Sequence, residues 1–347
     1  MAHRVVGIDV GFATLRAAQV RHASSAEAEV EKLVEISLPE GVIEAGEVVD
    51  RAALTKLLVD LWKQAGFKTR KVVVAAGSLH VFARELTVPL MSMQRIRESL
   101  PFMMEGILPV EPNQLFLDFY PAEDTHDETG PAIRGLAVAA ERASVDSLVD
   151  CLMAARLRPI AVDFVPFALL RVHKIPKDKN QLQALIDIGA GATNVVITKG
   201  GIPLFVRVIP VGGLDVDHAL MIDLKLSEAE AHSLKTKVKF DSKNKDEVEA
   251  LTSIERVIGD FVAGIKNTLD YFEQSHDESG RKVGQLILSG GGAKLTGLAD
   301  ALAKVVDLPV IIDGDVHQIK TSSKLGASDE KIRRFALAIG LAIGGSH

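Results

Sequence analysis

The sequence predicts an α/β protein built from two similar halves. Two hairpin motifs indicate this, VVGIDVGFATLRAAQV at 5–20 and LIDIGAGATNVVITKGG at 185–201, which lie about half of the 347-residue chain apart. Each motif is an apolar strand ending in Asp and Gly, then a turn with small residues and a Thr, then a second apolar strand. In addition, short β-branched runs such as KVVVAA at 71–76 are typical of buried parallel strands.

The turns of both hairpins have the chemistry of a phosphate-binding site. Gly11 and Gly189 lack a Cβ, so the backbone there can approach a ligand closely. Successive N–H groups in such a turn can point into one concavity that suits an anion. Asp9 and Asp187 would repel phosphate directly, but Mg²⁺ or its water shell can lie between carboxylate and phosphate. The alternative is an ordinary hairpin whose Asp and Gly only shape the turn, and the repetition favours the functional interpretation.

The first half continues with a strand at 32–38, a helix at 51–65 and a strand at 71–76. The helix is predicted by the spacing of Leu54, Leu58 and related positions on one face. A strand at 158–165 and a helix at 167–173 then lead to the second half.

Residues 79–157 form a unit of their own, with the order strand, helix, strand, strand, helix. Pro101 falls inside the helical pattern of 94–106 and predicts a kink or a break. The charged stretch 123–130 ends in Gly and is predicted to be a mobile loop.

The second half repeats the layout of the first. Its predicted elements are strands at 202–208, 285–288 and 310–312, and helices at 214–224, 227–237, 248–273, 298–306 and 329–343.

Composition limits the function classes. Aromatic residues make up 5% of the chain and the net charge is −6, which argues against stacking on single-stranded nucleic acid and against a general polyanion surface. The single Cys151 lies in an apolar helical pattern, so we expect it to be a small residue of the core. The absence of a second cysteine excludes a disulfide within the chain and indicates a reducing compartment. Neither a signal peptide nor a stretch of ~20 apolar residues is visible, which predicts a cytoplasmic protein without direct membrane insertion.

Two further glycine clusters are candidate ligand contacts. Gly290, Gly291 and Gly292 follow an apolar strand and precede a helix predicted near Thr296, which suits a base or ribose at a helix N-terminus. The alternative is a plain strand-to-helix turn. Gly212-Gly213 before a helix is a weaker signal of the same kind.

Asp163 is the candidate catalytic residue, because it ends a strand at the link between the halves. A carboxylate there could orient an attacking water, and the alternative is a helix N-cap before Val165-Pro166. Lys235 lies on a charged helix, where most lysines are solvated. The ten His residues show no metal-ligand spacing.

The order of these pieces resembles the actin and sugar-kinase ATPase superfamily. Within it the chain is similar to the PilM family, the cytoplasmic actin-like proteins of type IV pilus assembly. The matching stretches cover nearly the whole chain and are GIDVGFATLRAAQV, GVIEAGEVVD, FARELTVPLM, EGILPVEP, RPIAVDFVPFALLRV, DIGAGATNVVI, RVIPVGG, LSGGGAKLTGL and FALAIGLAIGG.

The resemblance implies an actin-like ATPase fold, with two ribonuclease H-like halves around a nucleotide cleft and an inserted subdomain like that of the cell-division protein FtsA. The implied divisions are 1–78 with 158–180, the insertion 79–157, 181–224 with 283–328, the helical 225–282, and the closing helix 329–347.

The resemblance also implies ATP and Mg²⁺ as cofactors. The implied contacts are Asp9, Gly11, Phe12, Ala13 and Thr14 on one side, Asp187, Gly189, Gly191, Ala192 and Thr193 on the other, Gly212 and Gly213 near the phosphates, and Gly290, Gly291, Gly292, Lys294 and Lys235 near the adenosine. Asp9 and Asp187 would hold Mg²⁺ through water.

The implied partner is the N-terminal cytoplasmic peptide of a PilN-like inner-membrane protein, held between the first core and the insertion. Such a scaffold links the pilus motor ATPases to the membrane complex, and self-association is a further expectation. Nucleic acid is not an expected partner.

Two departures from the family pattern bear on activity. His232 stands where the family has an acidic residue three positions before the adenosine-side Lys, and Phe12-Ala13 replace hydroxyl residues in the first turn. The first departure bears on ribose contact and the second leaves fewer side-chain donors in the turn. Because Asp163 also has the alternative interpretation of a helix cap, we expect slow or absent hydrolysis. The alternatives are a small-molecule kinase or phosphatase of the same superfamily, an FtsA-like filament protein, and a fragment resembling the cytoplasmic part of the type II secretion protein L.

Overall fold

The computed structural model describes residues 3–23, 25, 27–76, 78–128, 130–173, 175–176, 178–238, 245–276, 280–312 and 319–344. They form two compact units. Unit 1 comprises 1–174, 201–206 and 315–347, and unit 2 comprises 175–200 and 207–314. The finer division into five segments stays a prediction.

The N-terminal part of the chain alternates strands and helices as expected for an α/β fold. Its elements are β1 Arg4–Val10, β2 Thr14–Arg21, β3 Glu29–Ser37, β4 Ile43–Glu44, β5 Glu47–Val48, α1 Arg51–Ala65, β6 Lys71–Ala75, β7 Val81–Pro89, α2 Met93–Met103, β8 Leu115–Asp127, β9 Gly130–Glu141, α3 Arg142–Ala154, β10 Arg158–Asp163 and α4 Val165–Leu170.

The remainder repeats a strand hairpin and then becomes mainly helical. Its elements are β11 Leu182–Ile188, β12 Thr193–Lys199, β13 Ile202–Ile209, α5 Gly213–Leu224, α6 Glu228–Lys237, α7 Lys245–Ser275, β14 Val283–Ser289, α8 Leu298–Val306, β15 Val310–Ile312, β16 Lys320–Thr321, α9 Asp329–Arg334 and α10 Ala336–Gly344.

The two large sheets have the same arrangement of their three central strands. The first has the order β10-β6-β1-β2-β3-β16 and the second β13-β12-β11-β14-β15. In each, an antiparallel hairpin, β1–β2 or β11–β12, is extended by a parallel strand, β6 or β14, on the side of the hairpin's first strand. The predicted two similar halves are therefore confirmed.

Helix α1 illustrates how local signals position the core. Asp50 caps its N-terminus by accepting a hydrogen bond from Ala53 N over 2.9 Å, and Gly66 ends it with φ +55°. Its leucine face packs on β1, β2 and β6 together with Leu148 and Cys151 of α3. The expectation that Cys151 is a core residue is confirmed.

The segment after β6 contains a three-stranded antiparallel sheet, β7-β9-β8, with α2 against it. One local expectation was wrong here, and of the two outcomes predicted at Pro101, a kink or a break, the break does not occur. Residues 123–127 are not a loop, because β8 continues past a bulge near Pro121 and pairs with β9 as far as Asp127 opposite Gly130. Pro101 does not end α2, which continues to Met103.

The predicted closing helix at 329–343 is divided in two. Phe335 separates α9 from α10 with φ −103° and ψ 12°, and its side chain is buried. Helix α10 then packs on β1, where a Cβ on Gly7 would lie 1.9 Å from Ala338 O. Within the described residues, none of the helices combines the length and apolar character needed to cross a bilayer.

Candidate functional site

The first predicted phosphate turn connects β1 to β2 in unit 1. Val10 pairs with Leu15 as the last rung of the hairpin, and Gly11 N donates to Thr14 O over 3.0 Å to close the turn. A Cβ on Gly11 would lie only 3.0 Å from Thr14 O, so the tight closure favours glycine.

The backbone of this turn offers donors for an anion. Among the described residues, the N–H groups of Phe12 and Ala13 donate to no protein acceptor, while Gly11 N is used to close the turn. Two adjacent amides without acceptors suit a phosphate oxygen. The absence of hydroxyl side chains at 12 and 13 therefore leaves the backbone chemistry of the turn intact.

Asp9 lies at the end of β1 beside this turn. Arg16 Nη1 lies 3.4 Å from Asp9 Oδ2, and Arg16 Nε donates to Glu35 over 2.5 Å. Burial raises the pKa of Asp9, and the Arg16 guanidinium opposes this rise. A carboxylate whose negative charge is costly is stabilised when a cation binds next to it.

The second turn connects β11 to β12 in unit 2 and has the same closure. Gly189 N donates to Ala192 O over 2.9 Å, and the N–H groups of Ala190 and Gly191 donate to no acceptor within the described part of the chain. Ala192 thus occupies the place of Thr14.

The two threonines of the motifs are consequently not equivalent. Thr193 pairs with Ile188 in the β11–β12 hairpin, which is the position of Leu15 in β1–β2. Its hydroxyl is buried and donates to Val211 O over 2.8 Å. Thr193 therefore fixes the segment before Gly212, whereas Thr14 is partly exposed.

Gly212 and Gly213 pack directly on the second turn. Gly213 N donates to Gly189 O over 2.9 Å, and Leu214 N donates to Ala190 O over 2.8 Å. A Cβ on Gly212 would lie 2.2 Å from Ala190 O, which no side chain tolerates. The N-terminus of α5 is thereby held against the turn.

The glycine triplet approaches the same turn from β14. Asp187 pairs with Ser289, so the triplet begins where the turn begins. Gly290 has φ +84°, and a Cβ there would lie 2.4 Å from Ile188 O and 2.9 Å from Asp187 Oδ1. A Cβ on Gly292 would lie 2.3 Å from the Ile188 side chain.

Gly291 and the nearby Lys294 have more open space around them than Gly290 and Gly292. A Cβ on Gly291 would meet no atom within 4 Å. Lys294 is exposed at the end of a short 3₁₀ turn, Gly291–Lys294, and α8 begins at Leu298, which confirms the helix predicted at 298–306.

Lys235 is not a solvated surface lysine. Its Nζ donates to Asp217 Oδ2 over 2.5 Å and to Gly213 O over 2.9 Å. The two side chains are 14% and 3% exposed. Lys235 thus connects α6 to the Gly212-Gly213 segment, and His232 Nδ1 lies 3.6 Å from the same Asp217 oxygen.

Asp163 lies at the end of β10 in an ion pair. Its Oδ2 accepts from Arg171, which also donates to Gly340 O over 3.2 Å, and its Oδ1 accepts from Phe164 N over 2.7 Å. The N-cap interpretation was wrong, because Phe164 holds the cap position of α4. The ion pair therefore engages Oδ2 and the Phe164 N–H engages Oδ1, the two oxygens that a general base would need.

Unit 2 therefore brings together the turn 187–193, Gly212, Gly213, the triplet 290–292 and Lys235. Asp217 and Arg16 were missed by the sequence interpretation. A signal existed for Asp217, since it follows Gly213 by one helical turn and so lies on the same face of α5.

Comparison with known proteins agrees with this arrangement. A family model described as type IV pilus assembly protein PilM matches residues 7–346. The solved structure titled "PilM-PilN type IV pilus biogenesis complex" is 25% identical, covers 99% of this chain and 98% of its own, and has a TM-score of 0.84.

More distant relatives share the fold. MreB5 of Spiroplasma citri bound to ADP is 12% identical over 97% of this chain and 94% of its own, with a TM-score of 0.56. The cell division protein FtsA of Bacillus subtilis is 24% identical over 63% of this chain. The match spans 55% of that relative's length.

These matches confirm the predicted actin-like ATPase fold. Because the family model covers nearly the whole sequence, the chain belongs to the PilM family of type IV pilus assembly proteins.

Proposed function

We propose that this protein is an ATP-binding scaffold of type IV pilus assembly that holds a cytoplasmic segment of a PilN-like inner-membrane protein. The observation that carries the nucleotide part is the convergence of two glycine segments, 212–213 and 290–292, on the turn after Asp187. At Gly212, Gly290 and Gly292 a Cβ would lie 2.2–2.4 Å from atoms of residues 188–190.

Each turn has features that fit a phosphate group. Phe12 and Ala13 in one turn, and Ala190 and Gly191 in the other, present N–H groups that are free of protein acceptors among the described residues. Asp9 and Asp187 end the preceding strands and are suited to hold Mg²⁺ through water. Bound Mg²⁺ would screen the charge between these carboxylates and the triphosphate.

The adenosine side is assigned to Gly290, Gly291, Gly292, Lys294 and Lys235. The open space at Gly291 and the exposed Lys294 support a ligand-facing role for this part of the chain. Asp163 is paired with Arg171, which supports slow hydrolysis rather than rapid turnover.

The partner part of the proposal is supported by family membership and by the PilM-PilN complex. We infer that the chain acts on the cytoplasmic face of the inner membrane, where the N-terminal peptide of PilN attaches it. We also infer that it links this complex to the pilus motor ATPases. Self-association is a further element of the proposal. Nucleotide would regulate the peptide site if ATP binds one conformation better than another.

Isothermal calorimetry with Mg-ATP tests the nucleotide site. Asp187→Asn preserves the shape of the turn but removes the charge, and we expect at least a tenfold loss of affinity. Gly292→Ala should also lose binding, because the added methyl group must displace Ile188. Gly259→Ala is the matched control, because that exposed helical position has open space around it. Absence of nucleotide uptake by the unmodified protein would end this part of the proposal.

Peptide binding tests the scaffold separately. A fluorescent peptide from the PilN N-terminus should bind the unmodified chain, and saturating Mg-ATP should change its Kd. Equal Kd values with and without Mg-ATP would remove the coupling, and failure to bind in both conditions would remove the partner.

A further inference from the structure

We propose that Glu47, His80 and Glu141 of unit 1 form a binding site for a divalent transition-metal ion, with Zn²⁺ as the best match. The three side chains offer one imidazole nitrogen and two carboxylate oxygens that all lie within 4.8 Å of one another. None of them belongs to the proposed nucleotide site.

The three residues come from different elements and are brought together by the fold. Glu47 begins β5, His80 ends the 3₁₀ turn Ser78–His80, and Glu141 ends β9. Val81 pairs with Ala140 in the β7–β9 ladder, so His80 and Glu141 lie just beyond its last rung. The site would therefore join the segment 79–157 to β5 of the preceding segment.

The two distances from the imidazole nitrogen to the carboxylate oxygens fit a metal shell better than a hydrogen bond. His80 Nδ1 lies 3.5 Å from Glu47 Oε1 and 3.5 Å from Glu141 Oε2. A good N–H···O bond measures about 2.7–3.2 Å between heavy atoms. Tetrahedral zinc with bonds of about 2.0 Å places its ligand atoms roughly 3.3 Å apart.

The orientation of Glu141 is a second, independent observation. Glu141 occupies the N-cap position of α3, yet its side chain accepts no hydrogen bond from that helix. It is directed instead to the nitrogen that Glu47 also faces. Two carboxylates that converge on one imidazole repel each other unless a positive charge lies between them.

The donor set indicates the class of ion. Imidazole nitrogen suits Zn²⁺, Cu²⁺, Fe²⁺ and Ni²⁺, whereas carboxylates alone suit Mg²⁺, Ca²⁺ and Mn²⁺. One nitrogen and two carboxylate oxygens leave the fourth tetrahedral position for water. The partial exposure of Glu47, whose side chain is 46% accessible, provides the entry path.

Zinc titration of the tag-free, chelator-treated chain without nucleotide tests the site. We expect one Zn²⁺ per chain, an increase in Tm of roughly 5 °C at saturation, and the visible spectrum of tetrahedral Co²⁺ when Co²⁺ is used instead. His80→Ala and Glu141→Gln should each weaken Zn²⁺ binding at least tenfold. His126→Ala, which changes an exposed histidine on β8, should bind as the unmodified chain does.

If His80→Ala fails to fold, Glu47→Gln takes its place, because it preserves the size of the side chain. It should also weaken Zn²⁺ binding at least tenfold. No zinc uptake by the unmodified chain would overturn the proposal. Equal uptake by the His80, Glu141 and His126 variants would overturn it as well, because the metal would then bind elsewhere.

Discussion

Lys235 Nζ donates to Asp217 Oδ2 over 2.5 Å and joins α6 to α5 in unit 2. Asp217 is buried, and its Oδ1 has no hydrogen-bond partner among the described residues. Lys235 is therefore the cation that compensates this buried carboxylate. The same lysine also donates to Gly213 O, so the pair fixes the backbone beside the second turn.

Removal of Lys235 should destabilise the protein. Lys235→Met leaves the Asp217 carboxylate buried without its cation, and we expect a loss of about 3 kcal/mol in the free energy of unfolding, measured with urea. Lys237→Met, on an exposed position of the same helix, should change it by less than about 0.5 kcal/mol. The double variant Lys235→Met, Asp217→Asn should recover part of the loss. Equal stabilities of the two lysine variants would contradict the prediction.

Asp9→Asn should raise the thermal stability of the protein and weaken its binding of Mg-ATP. Burial raises the pKa of Asp9 above its ordinary value of 3.8, so this group stabilises the fold below that pH and the contribution is lost as pH rises through its folded pKa. The neutral amide of the variant carries no charge to bury, so the variant avoids this loss of stability at neutral pH. We expect its Tm to exceed that of the unmodified chain by about 2 °C at pH 7 and by less near pH 4. Calorimetry should find weaker Mg-ATP binding. A lower Tm with unchanged Mg-ATP affinity would contradict both expectations.

Glu31 should have the opposite pH dependence. The hydrogen bond from Arg4 and a further one from Gln19 hold the pKa of Glu31 below its ordinary value of 4.5. Its contribution is therefore present above pH 4.5 and is lost as pH falls through the lower folded pKa. The Tm difference between the unmodified chain and Glu31→Gln should shrink on acidification from pH 6 to pH 3. A constant difference over that range would show that the carboxylate charge is not responsible.

Gly340→Ala should disrupt the packing of α10 on α4. A Cβ at this position would lie 1.9 Å from Ala168 O, and backbone cannot move aside cheaply. We expect a loss of about 3 kcal/mol in urea unfolding. Ala52→Gly, an exposed change in α1 of the same unit, should cost only about 1 kcal/mol. A loss at Gly340 no larger than the control would contradict the packing argument.

The sequence predicted the repeated hairpins well, because strand alternation and the Asp–Gly turn are local signals. Both turns close between Gly and the third residue after it, at Gly11 and at Gly189. The different placement of Thr14 and Thr193 was missed. The two turns have the same pairing register, but the second threonine lies one residue further from its Asp and so enters the strand.

Interactions between distant segments explain most of the other misses. The charges of 123–127 favoured a loop, yet this stretch pairs with β9 at the edge of the small sheet, where one face is solvated. The ion pairs of Asp163 with Arg171 and of Asp217 with Lys235 depend on tertiary placement. The break at Phe335 carries no proline or glycine that would have marked it.

The contact between Gly7 and Ala338 has a consequence for biosynthesis. More than three hundred residues must be synthesised after Gly7 before the backbone that covers it, at Ala338, exists. Unit 1 can complete its core only after α10 has been synthesised, whereas all of unit 2 has been synthesised by residue 314. A nascent chain stalled before α10 should therefore present an uncovered first strand to chaperones.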